Sequence, residues 1–253
     1  MSDNPDMDSG HKWPGGSPRA AETVRRRIEK GGERLWRLED FRELPLPAVA
    51  QALSRMTRAG LIERLSKGTY YRSRETVFGG SRPSPASLQK LAARGKAMFP
   101  SGVVAANLLG FTTQTTSRSE LATNAASLPR KLVGHDAVVH TRRPAAWSGL
   151  SEKDAALLDF LRRRGRESEL SPEGTVRRTL KLLSETGRYR RLVNIAGTEP
   201  PRVRAILGAL GEQLGGHATA VRRLRESLNP LTRFDFGAFA GLPNARAWYA
   251  KEH

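Results

Sequence analysis

The segment 34–72 constrains the fold of this chain more than any other segment, because it holds a full series of short elements separated by clear turn signals. It reads RLWRLEDFRELPLPAVAQALSRMTRAGLIERLSKGTYYR. A short apolar element at Leu35 and Trp36 precedes LEDFRE, for which we predict a short helix. A turn marked by two prolines follows, and Pro47 suits the first position of a second helix.

The second helix is predicted from the spacing of its apolar residues. Val49, Leu53 and Met56 recur at helical intervals and form the predicted core stripe, and Gly60 provides a stop signal. If these three residues face the core, four others are expected to face outward, namely Ala48, Gln51, Arg55 and Arg58.

Two alternating runs complete the segment. LIERL at 61–65 and TYYR at 69–72 are joined by Ser-Lys-Gly, which predicts a two-stranded ribbon with a tight basic turn. Helix, turn, helix and hairpin in this order predict a winged helix, a DNA-docking unit whose second helix enters the major groove. Winged helices also serve as protein-docking modules, and in that alternative the outward side chains are simply solvated.

The outward residues suit the edges of DNA bases. Gln51 can form a bidentate pair with adenine, and Arg55 or Arg58 with guanine. We expect the small side chains of Ala48 and Ala52 to let the helix backbone approach the groove closely.

Basic residues elsewhere in the same domain are candidates for backbone contacts. Arg64 and Lys67 on the hairpin are expected to reach phosphates or the minor groove. Ser17 or Pro18 begins a first helix that carries Arg25 and Arg26, which are either a solvated face or further phosphate contacts.

The composition suits an anionic partner. The 253 residues include 43 Lys or Arg against 25 Asp or Glu, a net charge of +18 and a pI near 11.2. This excess favours nucleic acid, although an acidic protein or an anionic membrane also fits it. No apolar run reaches the roughly 20 residues that span a bilayer, and the sequence shows no signal peptide, so we expect a cytoplasmic protein associated with the bacterial nucleoid.

The sequence gives no reason to propose catalysis. It contains no cysteine, and its five histidines lack metal-ligand spacing. No phosphate-binding loop or dinucleotide fingerprint is present. We therefore expect no enzyme activity, no metal and no cofactor. His135 and His140 flank a predicted strand and are read as satisfied or surface histidines.

The predicted fold class is mainly α with small β elements, α+β overall. We expect a disordered tail at 1–16, a winged-helix domain at 17–78, a linker at 79–86 and a C-terminal α+β to helical domain at 87–253, with a sub-boundary near 145. Strands are expected around 121–123 and 137–141. Helices are predicted at 86–97, 102–110, 151–165, 172–185, 188–196, 200–214 and 217–228.

Two segments carry a resemblance to a known family, LSRMTRAGLIERLSKGTYYR in the predicted winged helix and FPSGVVAANLLGFTTQTTSRSELATN after the linker. In these segments the chain resembles the AbiEi antitoxins of type IV toxin–antitoxin systems, and the resemblance covers about residues 20–143. It implies a winged-helix domain with a C-terminal domain, repression of the chain's own promoter, and neutralisation of a nucleotidyltransferase-like toxin encoded alongside.

The leading hypothesis is a DNA-binding antitoxin and autorepressor. Its partners would be double-stranded DNA with a repeat sequence in its own promoter and a cognate toxin, with homo-oligomers or cooperative assembly on DNA. One alternative is a transcriptional regulator without a toxin. Another is a nucleic-acid-processing enzyme with a DNA-binding head.

Arginine clusters mark the C-terminal half and allow two interpretations. They lie at 162–164, 177–178, 190–191 and 222–223. Either they solubilise the helices, or they form a second basic surface for DNA or an acidic partner. We expect positions 177 and 178 to be exposed.

Overall fold

The computed structural model describes residues 18–73, 75–76, 79–80, 96–116, 118–128, 133, 136–185 and 187–252. The chain divides into two compact units, Met1–Leu88 (unit 1) and Gln89–His253 (unit 2). Both combine helices with small sheets, so the predicted α+β class is confirmed. The predicted tail at 1–16 lies outside the described residues, as do most of the linker, most of the helix expected at 86–97, and His135.

The described residues of unit 1 contain two helices, a three-stranded antiparallel sheet and a short separate ribbon. In chain order its elements are α1 (Pro18–Gly31), β1 (Arg34–Arg37), a 3-10 turn (Leu38–Phe41), α2 (Leu46–Arg58), β2 (Glu63–Ser66) and β3 (Thr69–Arg72). The sheet order is β1-β3-β2. The hairpin expected from the alternating runs is present, whereas the short helix expected at LEDFRE is a single 3-10 turn. β4 (Glu75–Thr76) pairs with β5 (Gly79–Gly80) in a separate ribbon.

The core of unit 1 is built from one face of each helix and from the inner side of the sheet. Val24 and Ile28 of α1 are fully buried, at the helical spacing seen in the sequence. Trp36 of β1 stacks on Phe41 of the 3-10 turn, with ring centroids 5.7 Å apart. Tyr70 of β3 completes this core. Burial of these large side chains therefore fixes how the two helices meet the sheet.

Unit 2 begins with a small mixed sheet. Its first elements are β6 (Met98–Pro100), α3 (Gly102–Leu108), β7 (Glu120–Thr123) and β8 (Val138–His140). β6 pairs antiparallel with β7, and β7 pairs parallel with β8. The sequence predicted α3, β7 and β8 but not β6, because a three-residue strand that ends at proline carries almost no periodicity.

Five helices follow the sheet and share one apolar core with it. They are α4 (Glu152–Arg162), α5 (Pro172–Ser184), α6 (Arg188–Ile195), α7 (Pro201–Leu214) and α8 (Ala218–Glu226). All five were predicted from the sequence, with ends that differ by one to a few residues. α4 and α7 are buried on nearly all sides, and the aromatic segment before the C-terminus packs as short 3-10 turns.

Buried carboxylates join the elements of unit 2. Asp159 of α4 is fully buried and accepts hydrogen bonds from Ser101 Oγ (2.7 Å), the Gly102 backbone N–H (3.1 Å) and an Arg143 guanidinium N–H (2.7 Å). Removing one partner from such a buried pair costs about 3–5 kcal/mol, because the other charge stays buried. These bonds therefore fix α4 against the start of α3.

Asp154 joins the start of α4 to a neighbouring helix. Its backbone N–H donates to the Ser151 side chain, which caps α4. Its carboxylate accepts from Arg188 Nε at 2.8 Å and from Arg191 Nε at 2.7 Å. Asp154 thus ties α4 to α6, a contact that no local sequence pattern indicates.

Most of the arginine clusters are engaged within unit 2. Arg162 pairs with the buried Glu199 at 2.6 Å, and Arg163 pairs with Glu120 and Glu167. Arg164 pairs with Asp235. The triplet is therefore an internal ion-pair junction, which neither interpretation from the sequence anticipated.

Arg178 corrects a second expectation. Its Nε donates to the Leu109 backbone carbonyl at 2.8 Å, and its guanidinium lies against Gly110. Arg178 is half-buried, whereas Arg177 is exposed as predicted. The two adjacent arginines therefore have different roles: Arg178 ties α5 to the end of α3, and Arg177 faces solvent.

Candidate nucleic-acid interface

The buried face of α2 is broader than the sequence stripe predicted. Val49, Leu53 and Met56 face the core, as expected. Ala48 and Ala52 are also buried, with exposed fractions of 6% and 5%. The expectation that Ala48 faces outward, and that Ala48 and Ala52 line a groove-facing surface, is therefore wrong. Their small side chains bring the helix close to the core of unit 1, not to an external partner.

The exposed face of α2 contains the three polar candidates. Gln51, Arg55 and Arg58 are all exposed, as predicted. At about 100° per residue, the centre of this face lies at Ser54 and Pro47, and Arg55 lies near its edge. Ser54 is a residue that sequence reasoning missed. Once Ala48 and Ala52 are assigned to the core, the helical period alone predicts that Ser54 is exposed.

We use the name α2 face for the exposed residues on this side of the helix. They are Pro47, Ala50, Gln51, Ser54, Arg55 and Arg58.

The α2 face carries positive charge without compensation. The sequence of α2 contains no acidic residue. Among the residues that the structure describes, neither Arg55 nor Arg58 forms an ion pair. Guanidinium groups in this state are available to an external acceptor, and forming that contact would break no ion pair with a described residue.

The two candidate arginines of the first helix differ from each other in their ion pairing. Arg25 of α1 pairs with Glu29 one turn later, at 2.8 Å. The hydrogen bond to Glu29 and the charge of that carboxylate raise the pKa of Arg25 above its usual value. Arg26 is exposed and has no ion pair within the described part of unit 1. Of the two candidates on α1, only Arg26 is free to meet an anion without losing a partner.

The hairpin turn presents Lys67 at its tip. Lys67 is exposed, and Gly68 beside it has a φ of +75°, which the tight turn requires. The Gly68 carbonyl accepts from the Leu38 backbone N–H at 3.2 Å, so the turn is anchored to the 3-10 turn. The sheet pairing shifts between Arg64 and Ser66, which marks a bulge in β2. Lys67 is therefore held in place by a fixed backbone.

Arg64 lies on the exposed side of β2. Its Nε approaches the Ser66 carbonyl at 3.4 Å, a long contact that leaves most of the guanidinium free. From Leu46 to Ser73 the chain carries five Lys or Arg and a single acidic residue, Glu63. The second helix and the hairpin thus form the more basic part of unit 1.

The described residues form neither a metal-binding cluster nor a membrane-spanning helix. No group of three or more His, Cys, Asp or Glu side chains within the described residues is arranged to hold a metal ion. No helix in the described ranges is both long and apolar enough to cross a bilayer.

His140 Nε2 lies 2.9 Å from Glu120 Oε1 and is a satisfied histidine, as the sequence indicated.

Comparison with known proteins places few constraints on function. No protein-family model matches the sequence, and no curated protein matches it. A solved structure, the RV2827C protein from Mycobacterium tuberculosis, aligns over 87% of this chain and 86% of its own. It shares 16% sequence identity, with a TM-score of 0.45.

Proposed function

We propose that the protein binds double-stranded DNA sequence-specifically through unit 1, acting as a winged helix. The observation that carries the proposal is the α2 face, a helix surface with a glutamine, a serine, no acidic residue and two arginines that form no ion pair with any described residue. An exposed helix of this kind matches the dimensions of the major groove, whose base edges accept bonds from Arg, Gln and Ser.

The arrangement of unit 1 supports the winged-helix assignment. A helix, a strand, a helical turn, a second helix and a hairpin follow one another, and β1 joins the hairpin at β3. In a winged helix the second helix of the motif enters the groove and the hairpin lies beside it. Lys67 at the hairpin tip is then placed to contact a phosphate.

The test is binding to the DNA upstream of the chain's own coding sequence, measured by fluorescence anisotropy against a scrambled duplex. We expect Arg55→Ala to weaken specific binding by about 1–3 kcal/mol if the side chain pairs with a base. Arg55→Lys is the matched control for charge. Lysine lacks the planar fork of arginine, so this variant should lose specific affinity yet bind the scrambled duplex like the parent.

Three results would count against this function. The first is wild-type protein that binds neither duplex. The second is wild-type protein that binds both duplexes equally. The third is specific affinity that Arg55→Ala and Arg58→Ala both leave unchanged, since α2 would then lie outside the groove.

We further propose, on the sequence resemblance to AbiEi antitoxins, that the chain represses its own promoter and neutralises a toxin encoded beside it. Co-expression with the neighbouring gene tests this directly. Growth arrest caused by the neighbour alone, and relieved by this chain, would support an antitoxin. If the neighbour has no effect on growth, the regulator without a toxin becomes the better proposal.

A further inference from the structure

A cavity of about 460 Å³ opens in unit 2 where the loop between α7 and α8 passes α6. Its wall includes Arg190 and Asn194 of α6, His217 of the loop and Arg223 of α8. No acidic residue contributes to the wall. A volume of this size falls within the range of small-ligand sites, roughly 300–1,000 Å³.

The side chains of this cavity are donors with few internal acceptors. Arg190 is exposed and has no ion pair among the described residues of unit 2. Within the part of the chain that the structure describes, Arg223 makes one hydrogen bond, from Nη2 to the Val193 carbonyl at 3.3 Å, and its other N–H groups have no partner there. The Asn194 amide provides further donors. Two guanidinium groups and an amide around one cavity are suited to an anion with several oxygen atoms.

The position of His217 is set by packing. Its ring lies 4.6 Å from the ring of the buried Tyr189, at an angle of 42°. The Tyr189 hydroxyl is held by the Leu207 carbonyl at 3.2 Å, so the ring that supports the histidine is itself fixed. His217 is therefore a fixed part of the wall, and its ring carries an N–H donor.

The loop backbone supplements these side chains. Gly215 and Gly216 have φ of +70° and +72°, and the space around both is open. Ala218, Thr219 and Ala220, in the first turn of α8, line the same cavity, and no side chain caps this helix. Backbone N–H groups of a first turn need external acceptors.

An adjacent cavity differs from this one in the charge of its wall. It shares Gly216, His217 and Ala218 with the first but is also lined by Glu212, which pairs with Arg225 at 2.7 Å. That ion pair neutralises a guanidinium and places a carboxylate in the wall. The cavity at Arg190 has neither feature.

We propose that the cavity lined by Arg190, Asn194, His217 and Arg223 binds a phosphoryl group, borne either by a free mononucleotide or by the backbone of a nucleic acid. The shared chemistry is a tetrahedral oxyanion that accepts from guanidinium, amide and imidazole N–H groups. No residue of unit 1 enters this proposal, which stands or fails independently of DNA binding by the α2 face.

The test uses the full chain and isothermal titration calorimetry with inorganic phosphate, adenosine monophosphate and a short oligonucleotide, with sodium chloride at equal ionic strength as the reference. Arg190→Glu should weaken binding of the phosphoryl ligand about tenfold or more, because one charge-assisted bond is replaced by a repulsion. The matched control is Arg222→Glu, which makes the same charge change at an exposed arginine of the adjacent cavity and should change affinity less than about twofold.

Each outcome decides the proposal. Saturable binding of phosphate or the mononucleotide that Arg190→Glu abolishes and Arg222→Glu retains supports a small-molecule site. The same pattern with the oligonucleotide alone supports a backbone contact. No binding beyond the chloride reference would overturn the proposal, and so would equal losses in both variants, since binding would then reflect only the general positive charge.

Discussion

Gly208 of α7 lies directly against the indole of Trp248, so closely that a Cβ at position 208 would lie 2.0 Å from Cζ3 of the ring. One turn further, a Cβ at Gly211 would lie 1.8 Å from the Tyr189 hydroxyl oxygen. Glycine inside a helix costs about 1 kcal/mol relative to alanine. Here the two glycines let two large rings pack against the central helix of unit 2.

Gly208→Ala is expected to destabilise unit 2, although alanine favours helices. The added methyl group has no space unless Trp248 moves, and overpacking of this kind costs about 1–3 kcal/mol. Urea unfolding should show a lower midpoint. The control is Gly197→Ala, since Gly197 has open space around it and an ordinary φ. Equal stability of the two variants would show that Trp248 does not fill the position opposite Gly208.

Arg178→Ala should destabilise the protein, whereas Arg177→Ala should not. Arg178 donates to the Leu109 carbonyl, and losing a hydrogen bond from a charged group costs about 1.5–3 kcal/mol. Arg177 is exposed, and such surface substitutions usually change stability by less than about 0.5 kcal/mol. Thermal unfolding followed by circular dichroism separates them. A larger loss in Arg177→Ala would be incompatible with the contact between α5 and Leu109.

Asp154 is expected to make stability fall in acid. Burial acts to raise its pKa, but the hydrogen bonds from Arg191 and Arg188 outweigh burial and lower the pKa below its usual value. Because the folded pKa is the lower one, the stabilisation is complete above the unfolded value near 3.9 and is lost as pH falls through the folded pKa. The stability difference between wild type and Asp154→Asn should therefore shrink steadily below about pH 5.

The control for the pH experiment is a carboxylate that lacks arginine partners. Glu152 is exposed on the same helix and forms no ion pair within the described part of unit 2. Urea midpoints of Glu152→Gln should follow those of the wild type between neutral pH and pH 3. A constant difference between wild type and Asp154→Asn over that range would contradict the role assigned to Asp154.

Ser54→Glu should abolish DNA binding without unfolding unit 1, if α2 lies in the major groove. Ser54 is at the centre of the α2 face, where a carboxylate would meet the negative field of the duplex. Ala48→Glu is the informative comparison, because its side chain would enter the core and unfold the unit. Anisotropy together with thermal unfolding distinguishes the two effects. If Ser54→Glu keeps full DNA affinity, α2 does not lie in the DNA interface.

DNA binding should also depend strongly on salt. Each phosphate neutralised adds roughly 0.9 to the slope of log K against log salt concentration. Lys67→Ala should therefore lower the slope by about 1 and weaken binding to specific and scrambled duplexes alike. An unchanged slope would show that the hairpin tip does not reach a phosphate.

The helices and the hairpin could be predicted from the sequence because their signals are local. The stripe of Val49, Leu53 and Met56 indicates α2, and the alternation on each side of the Ser-Lys-Gly turn indicates β2 and β3. The prediction that Ala48 faces outward failed, because alanine is common both in cores and on surfaces. Its burial depends on which face of the helix meets the neighbouring helix.

The sequence by itself determined the α+β class, the order of the helices, the hairpin and the excess of positive charge, because periodicity, turn residues and composition act over a few residues or over the chain as a whole. Only the tertiary structure decided which cations remain available. Arg162, Arg178 and Arg191 are engaged by partners 37 to 69 positions away in the chain, whereas Arg55 and Arg190 form no ion pair among the described residues. An ion pair depends on distance in space, and nothing in a local pattern specifies which distant carboxylate or carbonyl the fold will bring within reach.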